Sequence, residues 1–155
     1  MLRFLKLTAL LLGVVLLGLQ LIRPERNLGD PEGPDSIVRH HEVPAEIRAV
    51  LARSCYDCHS NRTRYPWYAE VQPVRWWLDS HISDGKRHLN LSEFARYSAE
   101  KQLEKLDEIV DTVAIAKSMP LPSYTLVHRS AIPSPAEINA VADWAEELHD
   151  RIADR

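Results

Sequence analysis

The sequence predicts an all-α domain preceded by a transmembrane helix. Apolar residues recur at intervals of three and four rather than in alternation, and five glycines and ten prolines in 155 residues leave long uninterrupted stretches between them. An apolar run without a single acid opens the chain. The length suits one domain plus extensions.

From Leu7 to Ile22 only Thr8 and Gln20 interrupt the apolar run, and Arg3, Lys6, Arg23 and Arg26 bracket it. Sixteen residues fall short of the roughly 20 that a span needs, but Leu2 to Leu5 extend the run if Lys6 snorkels to the interface. The competing reading is a cleaved secretory signal. No small-x-small site stands near Leu17–Leu21, so residues 1–22 are expected to stay as an uncleaved anchor. Flanking charges favour a cytoplasmic N-terminus with the remainder outside. That remainder holds 17 bases against 22 acids, a balance that argues against a nucleic-acid surface.

Residues 23–42, with Pro24, Pro31, Pro34, Gly29 and Gly33 among many charges, read as a flexible linker. Residues 43–155 then form the folded domain. Pro44 suits a first helical position, and Ile47, Val50, Leu51, Ser54, Cys55 and Cys58 share one face of the helix that follows. A second helix is expected from Pro73, its stripe Val74, Trp77, Leu78, His81 and Ile82 turning His81 inward, with Gly85 just beyond it and a loop over residues 84–90. A third helical region runs from about Ser92 to Lys117, with a break at Ser98, and ends at Met119-Pro120. A proline-rich loop leads to the clearest start signal in the chain, Ser134 as N-cap, Pro135 in the first turn and Glu137 placed for a capping box.

Cys55-Tyr56-Asp57-Cys58-His59 is the attachment pattern of a c-type haem. Two thiols one turn apart can each add across one haem vinyl group, and the next residue places its imidazole under the iron. The attachment chemistry takes place outside the cytoplasm, where the anchor independently puts these residues. A thioredoxin-like dithiol would want a βαβ setting, and zinc would need two further ligands from histidine or carboxylate. A metal-binding module without haem is the third class of reading.

The sixth iron ligand separates carrier from enzyme. Met119 follows His59 by 60 residues and sits between a helix and an irregular loop, an arrangement that resembles the distal side of class I cytochromes c. Its other reading is a core gap-filler. His81 is the main rival, then His88 and His128, then an open iron. Between Arg62 and Tyr68, Trp67 and Tyr68 could wall the haem while Arg62 or Arg64 pairs with its propionates, a guanidinium matching a carboxylate in two hydrogen bonds. The other reading is a surface loop.

Cys55 to Tyr68, Trp76-Trp77, His81, Leu89-Asn90-Leu91-Ser92-Glu93, Met119 to Tyr124, His128 and Trp144 together resemble the bacterial haem-binding domain family over residues 44–148. The resemblance implies a cytochrome c-like domain with one covalent haem c, found in some members beside cytochrome c or dihaem peroxidase modules. The expectation is a single-pass protein of a bacterial cytoplasmic membrane, its haem domain periplasmic or extracellular, that passes single electrons to a redox protein. The alternative is a peroxidase-like haem enzyme or a gas or redox sensor with an open sixth position.

Overall fold

The computed structural model describes residues 1–155 and contains helices and turns but no sheet. Helix α1, Leu2–Leu19, stands clear of the rest with no buried residue, as expected of a segment whose every face is apolar.

Residues 23–42 are not a tether. They form a strap held by polar groups: Asn27 Nδ2 donates to the Ser60 carbonyl at 2.9 Å, its N–H to the Tyr65 hydroxyl at 2.9 Å, and its carbonyl accepts from the Thr63 N–H at 2.9 Å. Gly29 donates to the Asn61 carbonyl at 2.7 Å, where a Cβ would come within 2.9 Å of that oxygen. One short helix in the strap, α2, Ile37–His40, puts Ile37 in the core with no exposed surface. The linker reading rested on low apolar content, but a segment that satisfies its backbone groups on a neighbouring loop needs only one apolar anchor.

Helix α3, Ala45–Ser54, buries Ile47, Val50, Leu51 and Ser54. It does not run on through the cysteines: Cys55 bends the chain (φ −121°, ψ −41°), and a separate turn, α4, spans Tyr56–His59. Helix α5, Val74–His88, continues three residues past Gly85, over what the sequence marks as a loop. Gly85 is there for space. A Cβ at this position would lie 2.7 Å from the Cys58 carbonyl oxygen and 3.0 Å from Cys58 Cβ.

A 3-10 turn over Leu91–Arg96 buries Leu91 and Phe94, and Ser98 then caps α6, Ala99–Val110, at the expected break. The last turn widens into a π-helical turn, Asp111–Ile115, closed by the Ala116 N–H on the Asp111 carbonyl at 2.7 Å. Lys117 is left-handed (φ 51°), which ends the helix two residues before Met119. After the short α7, Pro122–Thr125, helix α8, Pro135–Ala153, starts with the anticipated reciprocal capping box of Ser134 and Glu137. The core joins α3, α6 and α8 through Leu51, Phe94, Leu106, Trp144, Ala145 and Leu148. The α4 turn and α5 pack beside this core, so the motif lies at its edge.

Gly85→Ala tests the α4–α5 contact. Alanine is intrinsically the better helix residue by about 1 kcal/mol, yet the clash should cost about 1–3 kcal/mol. The expected outcome is a lower urea midpoint at unchanged slope; a raised midpoint would mean that the two helices can separate freely.

Candidate haem site

The cysteines of α4 face a largely apolar cavity of about 510 Å³, within the usual range of about 300–1,000 Å³ for small-molecule and cofactor sites. Leu51, Leu89, Leu91, Ile109, Val113 and Val141 supply much of its wall, and Cys55, Cys58, His59, His81, His88 and Met119 all reach it.

Cys55 and Cys58 are free thiols, not a disulfide. Burial pushes them up to about 12 and about 11. No group of three or more His, Cys, Asp or Glu side chains that could hold a metal ion is gathered around them.

His59 is oriented by α5. Its Nδ1–H donates to the Leu89 carbonyl, 3.0 Å away, just beyond the end of that helix. Burial lowers its pKa, opposed by the Leu89 and Gly85 carbonyls. The ring is therefore held in the tautomer that leaves Nε2 as a lone pair, the form an iron ligand needs. His81 is arranged similarly, Nδ1 donating to the Trp77 carbonyl at 2.8 Å with its ring 4.3 Å from the Trp77 ring. Met119 is set on the wall by its N–H, which donates to the Thr112 carbonyl at 3.2 Å across the end of the π-helical turn. Such turns often occur at functional sites.

Three residues expected at the haem stand off this wall. Trp67 is 81 % exposed, and Arg62 is exposed with its backbone bridged to Leu28. Arg64 is engaged elsewhere, its Nε and Nη2 each donating to one oxygen of the Asp57 carboxylate at 3.1 Å. His128 is likewise outside, stacked on Tyr124 with centroids 4.4 Å apart and its Nε2 2.6 Å from the Tyr68 hydroxyl.

Sequence reasoning missed Asp57, Tyr124 and Lys105. Asp57, buried between the cysteines, also accepts from the Tyr124 hydroxyl at 2.7 Å, and both residues line the large cavity on one side and a second cavity of about 270 Å³ on the other. The carboxylate beside it pushes the Tyr124 hydroxyl up further than burial alone would. Lys105 is the only Lys or Arg on the wall, buried and paired with Glu108 at 2.6 Å. Its signal was concealed by its place on an amphipathic helix, where lysine normally reads as solvated.

A family model described as a haem-binding domain matches residues 14–147, most of the chain. The chain belongs to that family. No curated protein and no solved structure matches it. The family model covers the strap as well as the helices, in keeping with the packing of residues 23–42 on the motif loop. The cavity suits the family's cofactor on the chain's own evidence. Its wall is chiefly apolar, the His59 ring is preset, and the buried Ser54 hydroxyl on it has no hydrogen-bond partner within the chain.

The Asp57 hub can be measured. Asp57→Ala removes the acceptor of three bonds from Arg64, two from its guanidinium and one from its backbone N–H, and the acceptor of Tyr124, and should cost about 2–3 kcal/mol. Arg64→Ala should cost under about 1 kcal/mol, because the Arg64 side chain is 64 % exposed and largely screened by water. Equal losses in denaturant titrations of the two variants would show that Tyr124 adds nothing to the hub.

Proposed function

We propose that this haem-binding domain protein is a membrane-anchored, monohaem c-type protein that carries single electrons on the outer side of the cytoplasmic membrane. One observation carries the reading: the two thiols of the motif, a His59 ring preset to offer Nε2, and the thioether of Met119 line the same largely apolar cavity. The exposed apolar helix α1 supports anchoring.

A bound haem supplies a one-electron couple between ferrous and ferric iron. Cys55 and Cys58 would hold it through thioether bonds, and His59 and Met119 would supply its iron with an imidazole and a thioether. The Leu89 carbonyl fixes the His59 tautomer, so this ligand needs no proton shift to bind. The aliphatic wall excludes water and favours the less charged state of the site, and the Lys105–Glu108 pair keeps the one buried ammonium compensated. Were both protein ligands to the iron supplied by the chain, no position would remain for substrate, which favours a carrier. His81 on the same wall supports a second reading, an enzyme or sensor in which this imidazole is a polar group at an open iron.

Protein made with haem-attachment machinery should keep its haem through denaturation and acid–acetone extraction, and release from the wild-type chain refutes covalent linkage. Met119→Ala should convert a low-spin ferric spectrum to a high-spin or water-ligated one, lower the reduction potential and admit carbon monoxide, since loss of a soft thioether disfavours the ferrous state. His81→Ala should leave the axial signature in place. An already high-spin wild type moves the assignment to the second reading, and a spectrum altered by His81→Ala alone replaces Met119 with His81.

A further inference from the structure

Ten large apolar side chains beyond α1 on its C-terminal side are conspicuously exposed, and five of them, Leu21, Ile22, Trp67, Val71 and Trp77, belong to two short stretches that meet where α1 joins the domain. The meeting point is clamped. The Gln72 N–H donates to Gln20 Oε1 at 2.9 Å, and the Ile22 carbonyl accepts from Gln72 Nε2 at 2.7 Å and from Trp76 Nε1 at 3.1 Å. Arg75 donates to the Pro24 carbonyl at 2.6 Å, while Arg23 and Arg26 both pair with Glu70. Gln20 is the residue that caps α1, so no free leash separates the apolar helix from the domain.

Length then decides where this junction sits. The 18 residues of α1 rise about 27 Å, short of a hydrocarbon core of about 30 Å. Leu21 and Ile22, 86 % and 61 % exposed, are the apolar residues available to complete the span. Drawing them to the edge of the hydrocarbon brings along what is bonded to them, namely Gln72 and Trp76, with Val71 adjoining. Tryptophan favours this layer, where its ring leaves water and its N–H keeps a polar partner. Trp76 already has such a partner in the Ile22 carbonyl.

We propose that the face made by Leu21, Ile22, Trp67, Val71, Trp76 and Trp77 lies in the headgroup layer of the membrane that α1 crosses, which fixes the orientation of the domain on the lipid surface. The proposal rests on the anchored reading above. Lipid is the occupant because the chain itself forces the contact: a domain bonded to the capping residue of a short span cannot move off the surface without breaking the clamp or exposing Leu21 and Ile22. Trp77 packs on His81, so the His81 rim of the haem cavity belongs to the membrane-facing side, and an electron partner would approach it along the membrane plane.

The full haem-loaded chain in phosphatidylethanolamine–phosphatidylglycerol vesicles provides the test, with an environment-sensitive fluorophore on a single added cysteine, Val71→Cys, Leu12→Cys or Ala153→Cys. Wild type without an added cysteine is the blank, and an unchanged haem spectrum certifies each variant. Should Val71→Cys fail that check, Trp67→Cys carries the label. Emission is compared with nitroxide placed at the lipid headgroup and deep in the acyl chain; the ratio cancels the constant loss to haem. The residue-71 label should lose about half its emission to the headgroup nitroxide and little to the deep one, the residue-12 label the reverse, and the residue-153 label should be quenched by neither. A residue-71 label that behaves like residue 153 while residue 12 is deep overturns the proposal and leaves the anchor standing, with the patch then facing water or a protein. A residue-12 label quenched by neither nitroxide overturns the anchor and the proposal together.

Discussion

Helices α4 and α5 meet where the Cys58 carbonyl leaves room for a hydrogen and nothing larger on Gly85. Much of the site depends on that contact. It lets α5 run unbroken past the motif, so that the chain leaves the helix at Leu89 with its carbonyl over the His59 ring. A single backbone acceptor then sets the tautomer of the imidazole, and burial keeps the ring neutral. A helix that ended at Gly85, as a glycine after an apolar stripe ordinarily suggests, would carry Leu89 elsewhere and leave His59 to solvent.

The wall of the cavity is divided between groups that exclude water and a few polar groups, of which the charged pairs are compensated and the Ser54 hydroxyl is left without a partner. Asp57 illustrates the rule for buried charge: its carboxylate has a guanidinium, a backbone N–H and a phenol as donors, and without them its burial would be strongly unfavourable. Lys105 is stabilised by Glu108 and, more distantly, by Glu104. These pairs give the site a defined shape rather than large net stability, because desolvation offsets much of their attraction. The apolar remainder of the wall makes an environment that suits the cofactor of this family.

The strap extends this order from the cavity to the apolar helix α1. Asn27 and Gly29 hold the loop that follows the motif, and Gln72, Arg75 and Trp76 hold the chain just after α1. Motif, strap and apolar helix are thus mechanically continuous. For a protein read as an electron carrier, such continuity sets which edge of the cavity a partner can reach.

The helical class, the Ser134 cap, the break at Ser98 and the apolar N-terminal helix were legible because each is written in residues close together along the chain. Met119, read as an iron ligand from its place between a helix and a proline-rich loop, lies on the cavity wall. The strap was not legible, since Asn27 and Gly29 find their partners more than thirty residues away and leave no periodic trace. Nor was the fate of Arg64, whose guanidinium is equally suited to a propionate and to Asp57, and which Asp57 takes because the turn after the motif brings the two together. By itself the sequence determined that the chain is helical, opens on a helix apolar enough to cross a membrane and carries two thiols and an imidazole one turn apart, because these properties follow from local spacing and composition. Only the tertiary structure decided which histidines face the cavity, which cation is buried in its wall and that the linker is part of the domain, because those depend on which distant groups compete for the same hydrogen bond or the same space.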